Sequence, residues 1–102
     1  MNSGNRILLA GRLGKNPELK YTREQTPVCY LALAESTQDL DKPKWHKVVV
    51  WGKEAELCNL YLKKGSFVFV QGLNKQITFV NKDGETKSYF EIKAEKLGFT
   101  QP

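Results

Sequence analysis

Apolar and polar positions alternate with a period of two along most of this chain, the pattern of strands that bury one face. Arg6–Leu13 (RILLAGRL) sets Ile7 and Leu9 on one face and Arg6, Leu8 and Ala10 on the other. Both faces are substantially apolar, which suits a strand packed on the core on one side and on another subunit on the other, or one buried by a small barrel alone. Gly14–Pro17 reads as a turn, and Glu18–Tyr21 resumes as a short extended piece. Thr22–Pro27 is polar and ends in proline, a hairpin connection. Val28–Ser36 then carries Cys29, Leu31 and Leu33 on one face and Tyr30, Ala32 and Ala34 on the other.

Thr37–Lys44 (TQDLDKPK) is rich in charge and contains Pro43, so a mobile loop is expected there. In Trp45–Trp51 the residues Trp45, Lys47, Val49 and Trp51 share one face, and His46, Val48 and Val50 the other. The period changes at Lys53–Leu62: Ala55, Cys58 and Leu62 recur at helical spacing, and Leu57 and Tyr61 widen the stripe. Lys63, Lys64 and Gly65 supply a basic last turn and a stop. Such a short amphipathic helix predicts a lid on a sheet or barrel.

Phe67–Gly72 is a strongly apolar strand that runs through Leu73 into a more polar arm, Asn74–Val80, with Lys75, Ile77 and Phe79 on one face. The turn NKDG at 81–84 predicts a hairpin, because its Asp-Gly step tolerates positive φ. Thr86–Leu97 returns as the last strand, with Phe90, Ile92 and Ala94 on one face and Tyr89, Glu91, Lys93 and Glu95 on the other. Residues 1–98 are expected to form one domain and 99–102 a short tail. Three strands, a helix and a strand pair drawn out into a hairpin predict a mainly β protein with the OB-fold. That fold is a five-stranded Greek-key barrel, here with one helix between the third and fourth strands and a long arm from the last two.

Composition adds a partner class. Sixteen Lys and Arg against eleven Asp and Glu give a formal charge of +5 and a pI near 9.3, which favours a polyanion. No apolar run is long enough for a signal peptide or a membrane span, so a soluble, cytoplasmic protein is expected. Cys29 and Cys58 form no CxxC pair and read as reduced, buried thiols. With a single histidine there is no metal set, and no cofactor is expected. Catalysis is not expected either, because His46 has no nucleophile or carboxylate beside it in sequence.

The stretch KWHKVVVWGK, 44–53, carries the candidate chemistry. Its first face pairs two large flat rings with a cation, and a lysine is rarely sealed in a core without a partner. Two readings stand at this point. The tryptophans finish the core, or they face solvent as platforms on which unpaired bases stack while nearby cations hold phosphates.

Several stretches together resemble the bacterial-type single-stranded DNA-binding proteins. NRILLAGRLGKNPELKYT is similar to the first strand and turn of that family, KWHKVVVWGKEAELCNLYLKKGS to its third strand and helix, and FVQGLNKQ with NKDGETKSYFEI to its final arm. The resemblance spans nearly the whole chain. Its most specific parts are Trp-His-basic-Val-Val followed by an aromatic, Gly and Lys, and the Tyr-Leu-Lys-Lys-Gly-Ser end of the helix.

The resemblance implies sequence-tolerant binding and protection of single-stranded DNA in replication, recombination and repair by a nucleoid-associated protein. The base-stacking rings would be Trp45, Trp51 and Phe79. The phosphate-holding cations would be Lys47, Lys53 and Lys75, with Arg6 and Lys20 on neighbouring strands; Arg12, Lys15 and Lys82 follow as weaker candidates. For each lysine the competing reading is solvated surface charge. His46 matches a histidine near a subunit contact, so it is assigned to the oligomer interface. The implied assembly is a homo-oligomer, a tetramer before a dimer.

Two departures stand out. The family usually carries a tryptophan in the loop after the second strand, whereas Thr37–Lys44 is short and has no aromatic residue. It also usually ends in a long linker with an acidic tip that recruits replication and repair proteins, whereas this sequence stops at Pro102. Those partners are therefore expected only where the native protein carries such a tail. The alternatives are a primosome-type adaptor of the same fold, and a barrel whose rings bury in a protein partner.

Overall fold

The computed structural model describes residues 5–35 and 42–99. In chain order the elements are β1 (Arg6–Leu13), β2 (Glu18–Tyr21), β3 (Pro27–Glu35), β4 (Lys44–Trp51), α1 (Lys53–Tyr61), β5 (Phe67–Val80) and β6 (Thr86–Phe99). The five-strand expectation counts Arg6–Tyr21 as one interrupted strand. Here Gly14 and Pro17 break it into β1 and β2, because β1 pairs with β5 and then, over Gly11–Leu13, with β3, while β2 pairs with the other end of β3.

The pairings close a ring of strands. β1 joins β5, β5 joins β6, β6 joins β4, β4 joins β3, and β3 returns to β1. All of these contacts are antiparallel except β4 with β6, a parallel seam of two residue pairs, Val48 with Ile92 and Val49 with Lys93. Inside the ring lie Leu9, Leu13, Cys29, Leu31, Leu33, Val48, Val50, Val68, Val70 and Ile92, the inward positions of the alternating pattern. Val28 and Val49 are equally buried but lie outside this cluster, on the outward faces of β3 and β4. The outer surface there is thus partly apolar and covered.

The helix lies against β3 through Ala55 and Cys58, and Leu62, its C-cap residue, joins the core. Its apolar stripe is narrower than the spacing predicts. Leu57 and Tyr61 are exposed, and Lys63 and Lys64 follow the helix instead of forming its last turn. The reason is local: the chain turns extended at Leu62, whose amide donates to the Cys58 carbonyl, and Gly65 then donates to the Leu13 carbonyl and ties this connection to β1.

Both cysteines are free thiols in the interior. Burial raises each thiol pKa, and the Cys58 thiol is pushed up to about 12. Beyond the barrel β5 and β6 continue as a two-stranded arm, paired from Asn74 with Ile92 to Val80 with Thr86. Gly84, at φ 80°, makes the turn that the Asp-Gly step predicts. β6 runs on to Phe99, so Gly98 and Phe99 belong to the strand, opposite Phe69 and Val68, and not to a tail. Most of the loop expected at Thr37–Lys44 lies outside the described residues; Lys44 opens β4.

Candidate nucleic-acid interface

The outward face of β4 is the centre of the site. Trp45 and Trp51 are 55% and 44% exposed, and Lys47 between them is exposed as well, so neither ring fills the barrel. Six residues apart on one strand face, the two indoles are separated by about 20 Å. Strand register carries that face sideways across the sheet. Tyr30 of β3 stands opposite Val49, and Glu18 of β2 stands opposite Tyr30; on the other side Val49 meets Lys93, Lys93 meets Leu73, and Leu73 meets Arg6 of β1.

Within this face cations and rings alternate. The Lys47 ammonium lies 4.7 Å from the centre of the Tyr89 ring and 5.3 Å from that of Tyr30. Lys20 lies 5.7 Å from the same Tyr30 ring. On the far side Tyr89 meets Phe79 edge to face, with ring centres 6.0 Å apart. The result is a line, Lys20–Tyr30–Lys47–Tyr89–Phe79, drawn from five strands. A groove of about 730 Å³ runs beside it, lined also by Lys15, Glu18, Trp45, His46 and Phe90.

Trp45 is placed by the turn after β1. Its ring lies against Gly14, whose amide donates to the Ala32 carbonyl at 2.9 Å, and a Cβ at residue 14 would occupy the ring's space. His46 is largely covered, and its Nε2–H donates to Glu35 Oε1 at 2.7 Å. That contact fixes the start of β4 against the end of β3. Two of the cations have carboxylate neighbours, Arg6 with Glu95 at 3.3 Å and Lys20 with Glu18 at 3.7 Å. Pairs this exposed are worth about 0–1 kcal/mol, so a phosphate competes for both cations at little cost.

The structure therefore brings together Trp45, Trp51, Lys47, Lys20, Phe79 and Lys75, which continue on one face from the barrel into the arm. Arg6 stands at the β1 end of the same row. Lys53 follows one residue after the strand turns at Gly52 and opens the helix. Lys82 sits in the hairpin turn at the tip of the arm. Arg12 lies elsewhere. It donates to the Gly65 carbonyl at 2.9 Å, stacks 5.6 Å over Phe67, and lines a second groove with Tyr61, Lys63 and Lys64.

Comparison with known proteins matches residues 4–100 to the Single-strand binding protein family. The chain belongs to that family. The closed ring with its helix is the OB-fold of this family. Among its relatives, the single-stranded DNA-binding protein of Neisseria meningitidis (serogroup A / serotype 4A) is 31% identical over 100 residues, covering 91% of this chain and 58% of the relative. That of Xylella fastidiosa (strain Temecula1 / ATCC 700964) is also 31% identical, covering 91% and 61%. The single-stranded DNA-binding protein 1 of Xylella fastidiosa (strain 9a5c) is 32% identical over 105 residues, covering 95% and 77%. The chain thus spans about three fifths of the first relatives it matches.

The face also carries Tyr30 and Tyr89, and Phe90, on the other side of the last strand, lines the groove beside them; sequence reasoning singled out none of the three as site residues. Tyr30 and Tyr89 each stand on the outward side of the alternating pattern, the one signal available beforehand. Among the described residues no three His, Cys, Asp or Glu side chains gather as metal ligands. No helix among them is long and apolar enough to cross a membrane.

Proposed function

We propose that this protein binds single-stranded DNA without regard to sequence and protects it in replication, recombination and repair, as a nucleoid-associated cytoplasmic protein. One observation carries the reading: exposed rings and cations alternate along a single outward face that runs from Trp51 through Lys47 and Tyr89 to Phe79. The cations Lys47, Lys20, Lys75, Lys53 and Arg6 draw in the backbone and hold phosphates, and Trp45, Trp51 and Phe79 stack on splayed bases. Arg12 takes phosphates in the second groove. Stacking uses the flat face that every base has, which makes binding tolerant of sequence. Nothing in the cycle is chemical.

The outward side of β1 and β5 supports a homo-oligomer, with a tetramer as the assembly. Leu8 is 74% exposed, and Phe69, opposite Ala10, is 48% exposed. Two such residues on one sheet face suit a partner subunit, and His46, paired with Glu35 at the start of β4, is the further residue assigned to the oligomer interface. Recruitment of replication and repair proteins belongs to the reading where the native protein carries an acidic tail.

The test is quenching of tryptophan fluorescence by oligo(dT), at low and high salt, with a duplex of equal length as control. Quenching by the single strand alone is the expected result. A duplex that quenches equally, or no quenching at any salt, would reject the reading.

A further inference from the structure

We propose that Tyr30 and Tyr89 form a base-stacking subsite of their own, in which the Lys47 ammonium holds the space between the two rings until an unpaired base replaces it. The inference rests on the single-strand reading above and adds a site that Trp45, Trp51 and Phe79 do not supply.

The geometry points this way because three strands contribute to one small space. Tyr30 comes from β3, Lys47 from β4 and Tyr89 from β6, and the ammonium is within 5.3 Å of both ring centres. Both tyrosines line the groove, and over their rings lie ammonium groups on flexible stems, Lys47 for both and Lys20 as well for Tyr30, while Phe79 meets Tyr89 edge to face. A cation over a ring at an exposed site is held weakly. A nucleobase competes for the same faces by stacking, and the arriving phosphate offers the ammonium a full negative charge in exchange. Lys47 then moves from ring to phosphate without leaving the groove. Lys20, 5.7 Å from the Tyr30 ring, is placed to take the neighbouring phosphate.

A second reading gives the tyrosines a smaller part, that of holding Lys47 in place. The two separate by combining substitutions. Tryptophan quenching by oligo(dT) is followed over a range of salt for the unsubstituted protein, Tyr30→Leu, Tyr89→Leu, Tyr89→Phe, Lys47→Gln and Tyr89→Leu with Lys47→Gln. Each leucine variant should bind about tenfold more weakly at every salt, with an unchanged salt slope, and Tyr89→Phe should bind as the unsubstituted protein does. Lys47→Gln should shallow the slope by about 0.7, the share of one phosphate on a single strand. In the Lys47→Gln background the cost of Tyr89→Leu should persist.

If that cost vanishes once Lys47 is gone, the tyrosines only position the lysine and the proposal fails. Leucine variants that bind as tightly as the unsubstituted protein would also overturn it. Tyr89 lies on the arm, outside the core, so its variants leave the barrel intact even if Tyr30→Leu does not fold. Failure of the unsubstituted protein to bind oligo(dT) at low salt would reject the single-strand reading itself, and this inference with it. Normal binding with silent tyrosine variants would reject the inference alone.

Discussion

The indole of Trp45 rests directly against Gly14, with no room between them for a methyl group. Gly14→Ala must therefore displace a ring that is held from that side. Trp45 is exposed, so little core energy is at stake. The expected outcome is a nearly unchanged melting temperature together with the loss of most of the roughly 1–3 kcal/mol that one stacked base contributes. Titration with oligo(dT) and a thermal melt on the same sample check both halves.

Lys75 and Arg12 should separate in a salt titration. Lys75→Gln on the arm is expected to reduce the slope of log K against log salt by about 0.7. Arg12 holds the Gly65 carbonyl and covers Phe67, so Arg12→Ala should lower stability by about 1 kcal/mol, read from urea unfolding, with a smaller effect on binding to short oligonucleotides. An Arg12 variant that binds a short strand far more weakly than the Lys75 variant would place the main path through the second groove.

The buried thiols give stability a definite pH dependence. Cys58 has an ordinary pKa of 9.0 and a folded value of about 12, raised chiefly by burial and next by the neighbouring Cys29 and Glu54. The unfolded chain therefore releases this proton before the native one does. Stability is insensitive to the group below pH 9 and falls as pH rises from about 9 to about 12. Urea midpoints measured across that window should decline, and Cys58→Ala should flatten part of the decline. A thiol reagent at pH 8 should modify the native protein only at the rate of its opening.

On the outward side of β1 and β5, Leu8→Glu is expected to lower the molecular mass in solution below that of the tetramer. Leu8 contributes nothing to the interior, so the smaller species should keep the melting curve of a folded barrel apart from what association adds. Light scattering after size exclusion reads the mass. An unchanged mass would move the subunit contact to another face.

Much of the fold was readable in the alternation of side chains. Cys29, Leu31, Leu33, Val48, Val50 and Ile92 all turn inward where the period of two predicts. The helix was less readable, because spacing reports which residues share a stripe and not how deeply the stripe sinks; only Ala55, Cys58 and Leu62 reach the core. Trp45, Lys47 and Trp51 were legible because they share one strand. Tyr30 and Tyr89 were not, since they meet at Lys47 only through the β3–β4 register and the two-pair parallel seam between β4 and β6. Arg12 failed to join them for the same kind of reason: its neighbours Gly65 and Phe67 are distant in sequence.

That seam also divides the molecule mechanically. Past Ile92 the arm is a ribbon of two strands with no residue from Lys75 to Glu91 in the interior. Bending it disturbs no residue of the core, though it shifts Tyr89 relative to Lys47, and two-stranded ribbons are more strongly twisted than wider sheets. Phe79 and Tyr89 ride on that ribbon while Trp45, Trp51 and Tyr30 ride on the barrel, so the aperture between the two sets is adjustable. On the proposed function, a bound strand would lie between one fixed plate and one sprung.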